Sequence, residues 1–117
     1  MRNILSLTLF VLVYLLISQV VVAMETRITN EKLSQYFLVT KSALEKAEAS
    51  PNRTSLKKER IDFLDMIKRY VSDAEHFNSK GDKVNAFAAL NYAHGWLDAG
   101  ARLGIFDVHD SKLFTVD

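Results

Sequence analysis

The sequence predicts an all-α protein, a three-helix bundle in up-down-up order that follows an apolar, transmembrane-like N-terminal helix. After residue 28 the apolar side chains return every three or four positions, which is the spacing of one helical face. No segment shows the strict alternation of a half-buried strand, and no internal repeat is present. The first 24 residues are apolar and differ sharply in composition from the rest.

Length, charge and cysteine content narrow the possible functions. The 117 residues suit a single domain. Cysteine is absent, which excludes disulfides, thiolate zinc sites and cysteine nucleophiles. The chain has 15 Lys plus Arg and 14 Asp plus Glu. Setting aside Arg2, the one charged residue of the leader, makes the remainder neutral, and such a balance gives no support to nucleic-acid binding.

The leader, residues 1–24, has three interpretations. Residues 4–23 carry no charge, and as a helix they would be about 30 Å long, the hydrocarbon thickness of a bilayer. A transmembrane anchor is the direct interpretation. A charged start at Arg2 and small residues near Ala23 also fit a cleaved signal peptide. A third interpretation places the true start at Met24. The protein is then single-pass in the membrane if the leader is retained, and cytoplasmic if translation begins at Met24.

The first helix of the bundle is predicted over residues 30–49. Thr29 or Asn30 can cap its start with a side-chain oxygen. Pro51 ends it, because proline forces Ser50 out of the helical conformation. One face carries the core stripe Leu33, Phe37, Thr40, Leu44 and Ala47.

The second helix is predicted over residues 55–79. Asp65 and Arg69 lie four apart in the favourable order for an exposed ion pair. Gly81 suits a left-handed residue after the helix end, and Asp82 can cap the next helix at once. The predicted core stripe is Phe63, Leu64, Ile67, Tyr70, Val71, Ala74 and Phe77.

The third helix is predicted over residues 83–103 as the most tightly packed of the three. Its core stripe is Ala86, Leu90, Ala93, Leu97 and Gly100, with Phe87 and Trp96 beside it. Glycine inside a helix costs about 1 kcal/mol relative to alanine. For Gly95 and Gly100, close approach of a neighbouring backbone is the expected compensation. The bundle domain therefore spans residues 25–106.

Residues 107–117 form a C-terminal tail without a clear period. Three alternatives are open for it: docking across the bundle, pairing with a partner, or remaining loose, as many termini do.

The bundle resembles a known family. The segments IDFLDMIKRYVSDAEHF and KGDKVNAFAALNYAHGWLDAGARLGIF, within residues 61–106, resemble the archaeal domain-of-unknown-function family three-fifty-seven. ITNEKLSQYFLVTKSALEKAE is similar to the first helix of that family, and ALNYAHGWLDAGARLG is the most specific stretch. The resemblance implies a small three-helix bundle and no established activity, cofactor or catalytic residue. The apolar leader departs from the family, whose members usually begin near the first helix.

Two pairs of residues that include a histidine are compared with known kinds of site, a metal site and a ribonuclease motif. His94 and Asp98 share a helical face, but two ligands are too few for a zinc site, and a hydrogen-bonded structural pair explains the spacing equally well. Arg69 and His76 have a spacing that resembles the arginine–histidine motif of helical ribonucleases of the HEPN class. Nothing else in the sequence supports phosphodiester cleavage. No catalytic residue, metal site or cofactor is predicted.

One basic cluster is the candidate anion site. It comprises Arg53, Lys57, Lys58 and Arg60, at the start of the second helix. Free N–H groups at a helix start favour an anion, and cations beside them strengthen such a site. The alternative is a solvated face in which Glu59 and Asp62 offset part of the charge.

Aromatic residues offer a second binding surface. Tyr36, Phe77, Tyr92, Trp96 and Phe106 could form a groove, although aromatic residues at helical spacing more often form core. The spacing of Gly100 and Gly104 would also let another helix approach closely.

The predicted function is a non-catalytic module that binds another protein or itself, attached to the membrane through residues 4–23 if these are retained. The alternative is an anion- or nucleic-acid-associated domain that uses the basic cluster, with nucleic acid the less favoured partner.

Overall fold

The computed structural model is entirely helical over the part of the chain that it describes, namely the backbone of residues 2–22 and 26–116 and the side chains of residues 3–18 and 26–116. Four helices follow in order: α1 (Arg2–Val22), α2 (Asn30–Ala49), α3 (Lys57–Ser79) and α4 (Lys83–Leu103). Helices α2, α3 and α4 pack on one another as a bundle. The predicted all-α class is confirmed.

The ends of α2 and α4 lie where the sequence predicts them, because local signals set them. The Thr29 hydroxyl accepts from the Lys32 N–H at 3.1 Å, and the Asp82 carboxylate accepts from the Asn85 N–H at 3.1 Å. Ser50, before the proline, is extended with ψ 152°. Gly81, at the turn between α3 and α4, has a φ of 77°.

Helix α3 begins at Lys57, two residues later than predicted. Asn52 Oδ1 accepts from the backbone N–H and the hydroxyl of Thr54, and the Thr54 hydroxyl accepts from the Leu56 N–H. These side-chain bonds hold residues 52–56 in a turn, which competes with the helix for the same backbone groups. The helix therefore starts only after the turn is complete.

Helix α4 is the centre of the bundle and packs against both α2 and α3. All five residues of its predicted stripe are buried, and Leu97 is fully inaccessible. A main cluster around Ile67 and Leu97 and a second around Leu33 and Leu90 form the core. The buried residues of α4 are Ala86, Ala89, Leu90, Ala93, Leu97, Gly100 and Ala101.

The segment that follows α4 folds back onto the bundle. Ile105 and Phe106 are fully buried, and Val108 and Phe114 are almost fully buried. The Asp107 N–H donates to the Pro51 carbonyl at 2.9 Å, which joins this segment to the loop between α2 and α3. Of the three alternatives for the tail, the structure places residues 107–116 against the bundle.

An ion pair fastens the far part of this segment. Lys46 Nζ lies 2.6 Å from Asp110 Oδ2. That hydrogen bond, followed by one from the Lys112 backbone N–H, holds the pKa of Asp110 below its ordinary value. A carboxylate whose pKa is lowered by folding stabilises the fold at neutral pH and loses that contribution as the pH falls through the lowered pKa. Acid therefore weakens this attachment.

The two glycines inside α4 have opposite surroundings. A Cβ on Gly100 would overlap the ring of Phe106. The expected close approach is present there, although a side chain makes it and not a backbone. A Cβ on Gly95 would meet nothing within 4 Å. The described residues of this chain therefore do not supply the compensation expected for Gly95, because this residue faces outward and no described segment covers it.

These surroundings predict opposite effects of alanine at the two positions. We expect Gly95→Ala to raise the free energy of unfolding of the single chain, measured at low protein concentration, by about 0.5–1 kcal/mol, because alanine favours the helix and meets no obstacle within that chain. We expect Gly100→Ala to lower it by about 1–3 kcal/mol, because the Phe106 ring must move. Urea denaturation followed by circular dichroism measures both, and a change of the same sign in the two variants would contradict these environments.

Helix α1 stands apart from the bundle. It makes no contact with α2, α3 or α4 within the described residues, and its large apolar side chains from Ile4 to Ile17 are exposed. Among the residues that the structure describes, no helix is sufficiently long and apolar to traverse a bilayer. The predicted transmembrane helix is thus unsupported. Residues 23–25, which include the predicted cleavage region and Met24, lie outside the described residues, as do the side chains of residues 19–22.

Candidate functional site

Arg60, one of the four predicted anion-binding residues, is half-buried and turned toward the backbone of the fold. Its guanidinium donates to the carbonyl oxygens of Ala47, Glu48, Ser50 and Ile105 at 2.5 to 3.2 Å. It also lies over the Phe106 ring, 5.3 Å from the centroid. Arg60 therefore joins the end of α2 to the segment that follows α4. Its hydrogen-bonding capacity is directed at these carbonyls and away from any external anion.

The remaining members of the basic cluster do not converge on one point. Arg53 Nε is 3.1 Å from Asp107 Oδ1, an ion pair at the junction with the tail. Lys57 and Lys58 are exposed in the first turn of α3 and form no ion pair among the described residues. Leu56 occupies the cap position and provides no side-chain hydrogen bond. Two free lysines thus remain at a helix start, without the arginines that were predicted to accompany them.

His94 and Asp98 bind the tail, and the predicted hydrogen bond between them is not formed. His94 Nε2 donates to the Leu113 carbonyl at 2.7 Å, and its Nδ1 accepts from the Thr40 hydroxyl at 3.2 Å. Asp98 accepts from the N–H and the hydroxyl of Thr115. The two side chains are 3.8 Å apart at their closest. In the described part of the chain, no three His, Asp or Glu side chains are grouped as metal ligands would be.

Arg69 and His76 do not form a cleft. Arg69 Nε pairs with Asp65 at 2.8 Å, which confirms the predicted exposed ion pair. His76 is exposed in the last turn of α3 and lies beside the Phe77 ring. The spacing therefore reflects two exposed positions on one helix.

The five aromatic residues predicted as a possible groove divide into separate groups. Phe106 is core, Phe77 packs at the edge of the second cluster, and Tyr36 contacts Phe87 between α2 and α4. Only Tyr92 and Trp96 line a common groove. The spacing of Gly100 and Gly104 is likewise used internally, under Phe106 and beside Arg53.

That groove lies on the outer side of the contact between α3 and α4. Phe63 of α3 meets Trp96 edge-on, with ring centroids 4.8 Å apart. Tyr92 lies 4.3 Å from the Tyr70 centroid and 6.4 Å from that of Trp96. The exposed Tyr92 and three half-buried rings thus form one wall beside the open position at Gly95. The groove is lined by Phe63, Asn91, Tyr92, Gly95, Trp96 and Ala99.

The groove continues into the outer face of α4. From Val84 to Ala99 every exposed position of this helix is uncharged, and Arg102 follows near its end, whereas the exposed positions of α3 are mostly charged. Val84, Tyr92 and Leu103 are 68%, 49% and 56% exposed. These positions recur at helical spacing and therefore form one stripe along the helix. We call this surface, Val84, Ala88, Tyr92, Gly95, Ala99 and Leu103, the α4 outer stripe.

A comparison with protein families gives a match that covers most of the bundle. The profile of a family described as a protein of unknown function (DUF357) matches residues 35–106, well over half of the chain. The chain belongs to the DUF357 family. This confirms the resemblance of residues 61–106 to that family of unknown function, whereas the archaeal origin stays a prediction. No curated protein and no solved structure matches this DUF357 chain.

The DUF357 match contains all of α3 and α4, and therefore the whole groove and the α4 outer stripe. The sequence predicts Phe63 as core and, within the stripe, Tyr92 as part of a possible aromatic groove and Gly95 as a close-packed glycine. It leaves Val84, Ala88 and Leu103 unassigned. A signal was present, because the stripe residues recur at helical spacing on the side of α4 opposite the buried stripe. Apolar residues on two opposite faces are typical of a helix that is buried on both of them.

Proposed function

We propose that this DUF357 bundle is a non-catalytic protein-interaction module whose groove between α3 and α4 receives an α-helix of a partner chain. The observation that carries the proposal is the outer face of α4, where every exposed position from Val84 to Ala99 is uncharged and Gly95 is uncovered in the middle. A helical glycine with no neighbour lowers the stability of its own helix, and no packing contact inside the chain offsets that loss. A partner helix that approaches closely at this glycine supplies such a contact.

The chemistry of the groove suits a helix as its occupant. Helix-in-groove recognition uses apolar side chains on one helical face that enter an apolar groove. Tyrosine and tryptophan dominate the binding energy of many interfaces, and Tyr92 and Trp96 stand at this wall. The groove is apolar and open to solvent, which suits the apolar face of a helix better than a small molecule enclosed in a pocket.

A photo-crosslinking amino acid in place of Tyr92 tests this function in cells that produce the chain. We expect a covalent adduct with a second polypeptide, because the side chain at this position would touch the bound helix. Leu38, on α2 and 68% exposed, provides the matched control because it does not line the groove. Adducts at neither position, or equal adducts at both, would contradict a specific site at the groove.

The alternative function, anion or nucleic-acid binding, now depends on Lys57 and Lys58. We expect Lys57→Glu with Lys58→Glu to raise the free energy of unfolding by roughly 0.5–1 kcal/mol, because negative charge in a first turn favours the helix dipole. Thermal denaturation at low salt measures this change. If the native chain binds a short RNA or an anionic vesicle in a salt-dependent way, and the variant does not, the alternative is favoured instead.

The location of the chain is a separate proposal that rests on the sequence of the leader alone. A retained anchor predicts the 117-residue mass in the membrane fraction. A signal peptide predicts a mass shortened by the leader, and a start at Met24 predicts the shorter chain in the soluble fraction. Intact-mass analysis of the two fractions distinguishes the three.

A further inference from the structure

We propose that the occupant of the groove is a second copy of this chain, paired antiparallel through the α4 outer stripe about a two-fold axis. This inference rests on the proposed function, because it names the partner that the groove receives. The first observation that supports it is the order of side chains along the stripe. From Val84 to Leu103 the residues are separated by 4, 4, 3, 4 and 4 positions, a spacing that is identical when read in either direction.

In an antiparallel pair, each side chain of the stripe fits the side chain that the other copy places opposite it. If the two-fold axis passes between residues 93 and 94, Val84 lies opposite Leu103 of the other copy, and Ala88 lies opposite Ala99. Tyr92 then lies opposite Gly95. The large exposed ring at 92 thus faces the uncovered glycine, where nothing lies within 4 Å of a Cβ position. In a two-fold interface each such contact is made twice.

The helix dipoles favour the antiparallel direction. Lys83 begins α4 beside the capping Asp82, so the N-terminal end carries both signs of side-chain charge, and Arg102 lies in the last turn. An antiparallel pair places the positive N-terminal end of each helix dipole beside the negative C-terminal end of the other. A parallel pair would bring like ends together. No charged side chain is exposed between Val84 and Ala99 to oppose the contact.

The absence of cysteine from the chain permits a direct test by disulfide formation in the full-length protein. Ala88→Cys and Ala99→Cys are prepared separately, mixed and oxidised. Both positions are exposed, so neither substitution disturbs the core. In the proposed register, residue 88 of one copy is opposite residue 99 of the other, within the Cα range of a disulfide. Two copies of residue 88 would be about 16 Å apart along the helices, too far to bridge.

We expect the mixed Ala88→Cys and Ala99→Cys pair to give at least tenfold more crosslinked dimer than either variant alone. Ala49→Cys, an exposed alanine on α2, mixed with Ala88→Cys measures random collision. Adding Gly95→Leu to both partners should reduce the mixed crosslink at least tenfold, because leucine fills the space that Tyr92 enters. The fold tolerates that change, since position 95 is open.

The remaining outcomes overturn the inference in distinguishable ways. An excess of the 88–88 or 99–99 dimers would overturn the antiparallel register. Crosslinking no greater than in the Ala49→Cys control would overturn self-pairing altogether. In that case a photo-adduct at residue 92 with a different polypeptide would leave the proposed function standing, whereas absence of any adduct there would remove both.

Discussion

Leu97→Asp is expected to abolish the folded state of the bundle. Leu97 is fully buried at the centre of the main core cluster, beside Ile67 and Phe106. An aspartate there would be an unpaired charge in an apolar interior, which costs several kcal/mol, comparable with the whole stability of a small domain. Circular dichroism and a thermal melt measure the loss.

The matched control for this substitution is Leu38→Asp on α2. Leu38 is 68% exposed, so the same chemical change removes little buried surface and leaves the charge in water. We expect its effect on the free energy of unfolding to be below about 1 kcal/mol. A normal cooperative melt in Leu97→Asp would mean that the register assigned to α4 is wrong.

The second large effect is expected at Arg60. Arg60→Met keeps an apolar stem but removes the guanidinium donor from four carbonyl oxygens and the cation over Phe106. Of the four, the Ala47 carbonyl keeps the backbone N–H and the hydroxyl of Ser50 as donors. Hydrogen bonds to a charged group contribute about 1.5–3 kcal/mol each and are not additive, so we expect a loss of about 3 kcal/mol or more. Urea denaturation measures this loss.

Two further variants separate the role of the guanidinium from that of charge alone. Arg60→Lys keeps the charge but loses the planar fork, and we expect it to restore less than half of the lost stability. Arg69→Met removes an exposed arginine paired with Asp65 and should change stability by about 0.5 kcal/mol or less. Faster hydrogen exchange at the Asp107 amide in Arg60→Met, but not in Arg69→Met, would locate the damage at the tail. Equal effects in the two variants would contradict a structural role for Arg60.

The helices could be predicted from the sequence because their ends depend on neighbouring residues. Thr29, Pro51, Gly81 and Asp82 act within one turn of their own positions, and the sequence shows each beside the helix that it caps or ends. The start of α3 was predicted two residues early because the hydrogen bonds between Asn52 and Thr54 compete with the helix.

The role of Arg60 could not be predicted in this way. Its acceptors belong to the end of α2 and to Ile105, which is 45 positions away in the chain. In the sequence, Arg60 and its lysine neighbours are alike only in their positive charge, so the sequence predicts that they form one basic cluster. In the structure the guanidinium turns inward to the carbonyls, while Lys57 and Lys58 stay in solvent. Only tertiary contacts separate the two kinds of cation.

The groove could be predicted from the sequence only in part. The pairing of Phe63 with Trp96 needs the packing of α3 against α4, which the sequence does not reveal residue by residue. The α4 outer stripe, in contrast, depends only on helical periodicity. Gly95 was expected to be covered from within the chain, and its exposure is the feature that directs attention to a partner.

Acrylamide quenching of Trp96 fluorescence shows whether a second copy covers the groove, because this is the only tryptophan of the chain and it lines the groove. The full-length protein is measured over a range of concentrations, with the Gly95→Leu variant in parallel. We expect quenching to be weak at high concentration, to strengthen on dilution, and to be strong at all concentrations in Gly95→Leu. Equal quenching at every concentration in both proteins would contradict a groove that a second copy covers.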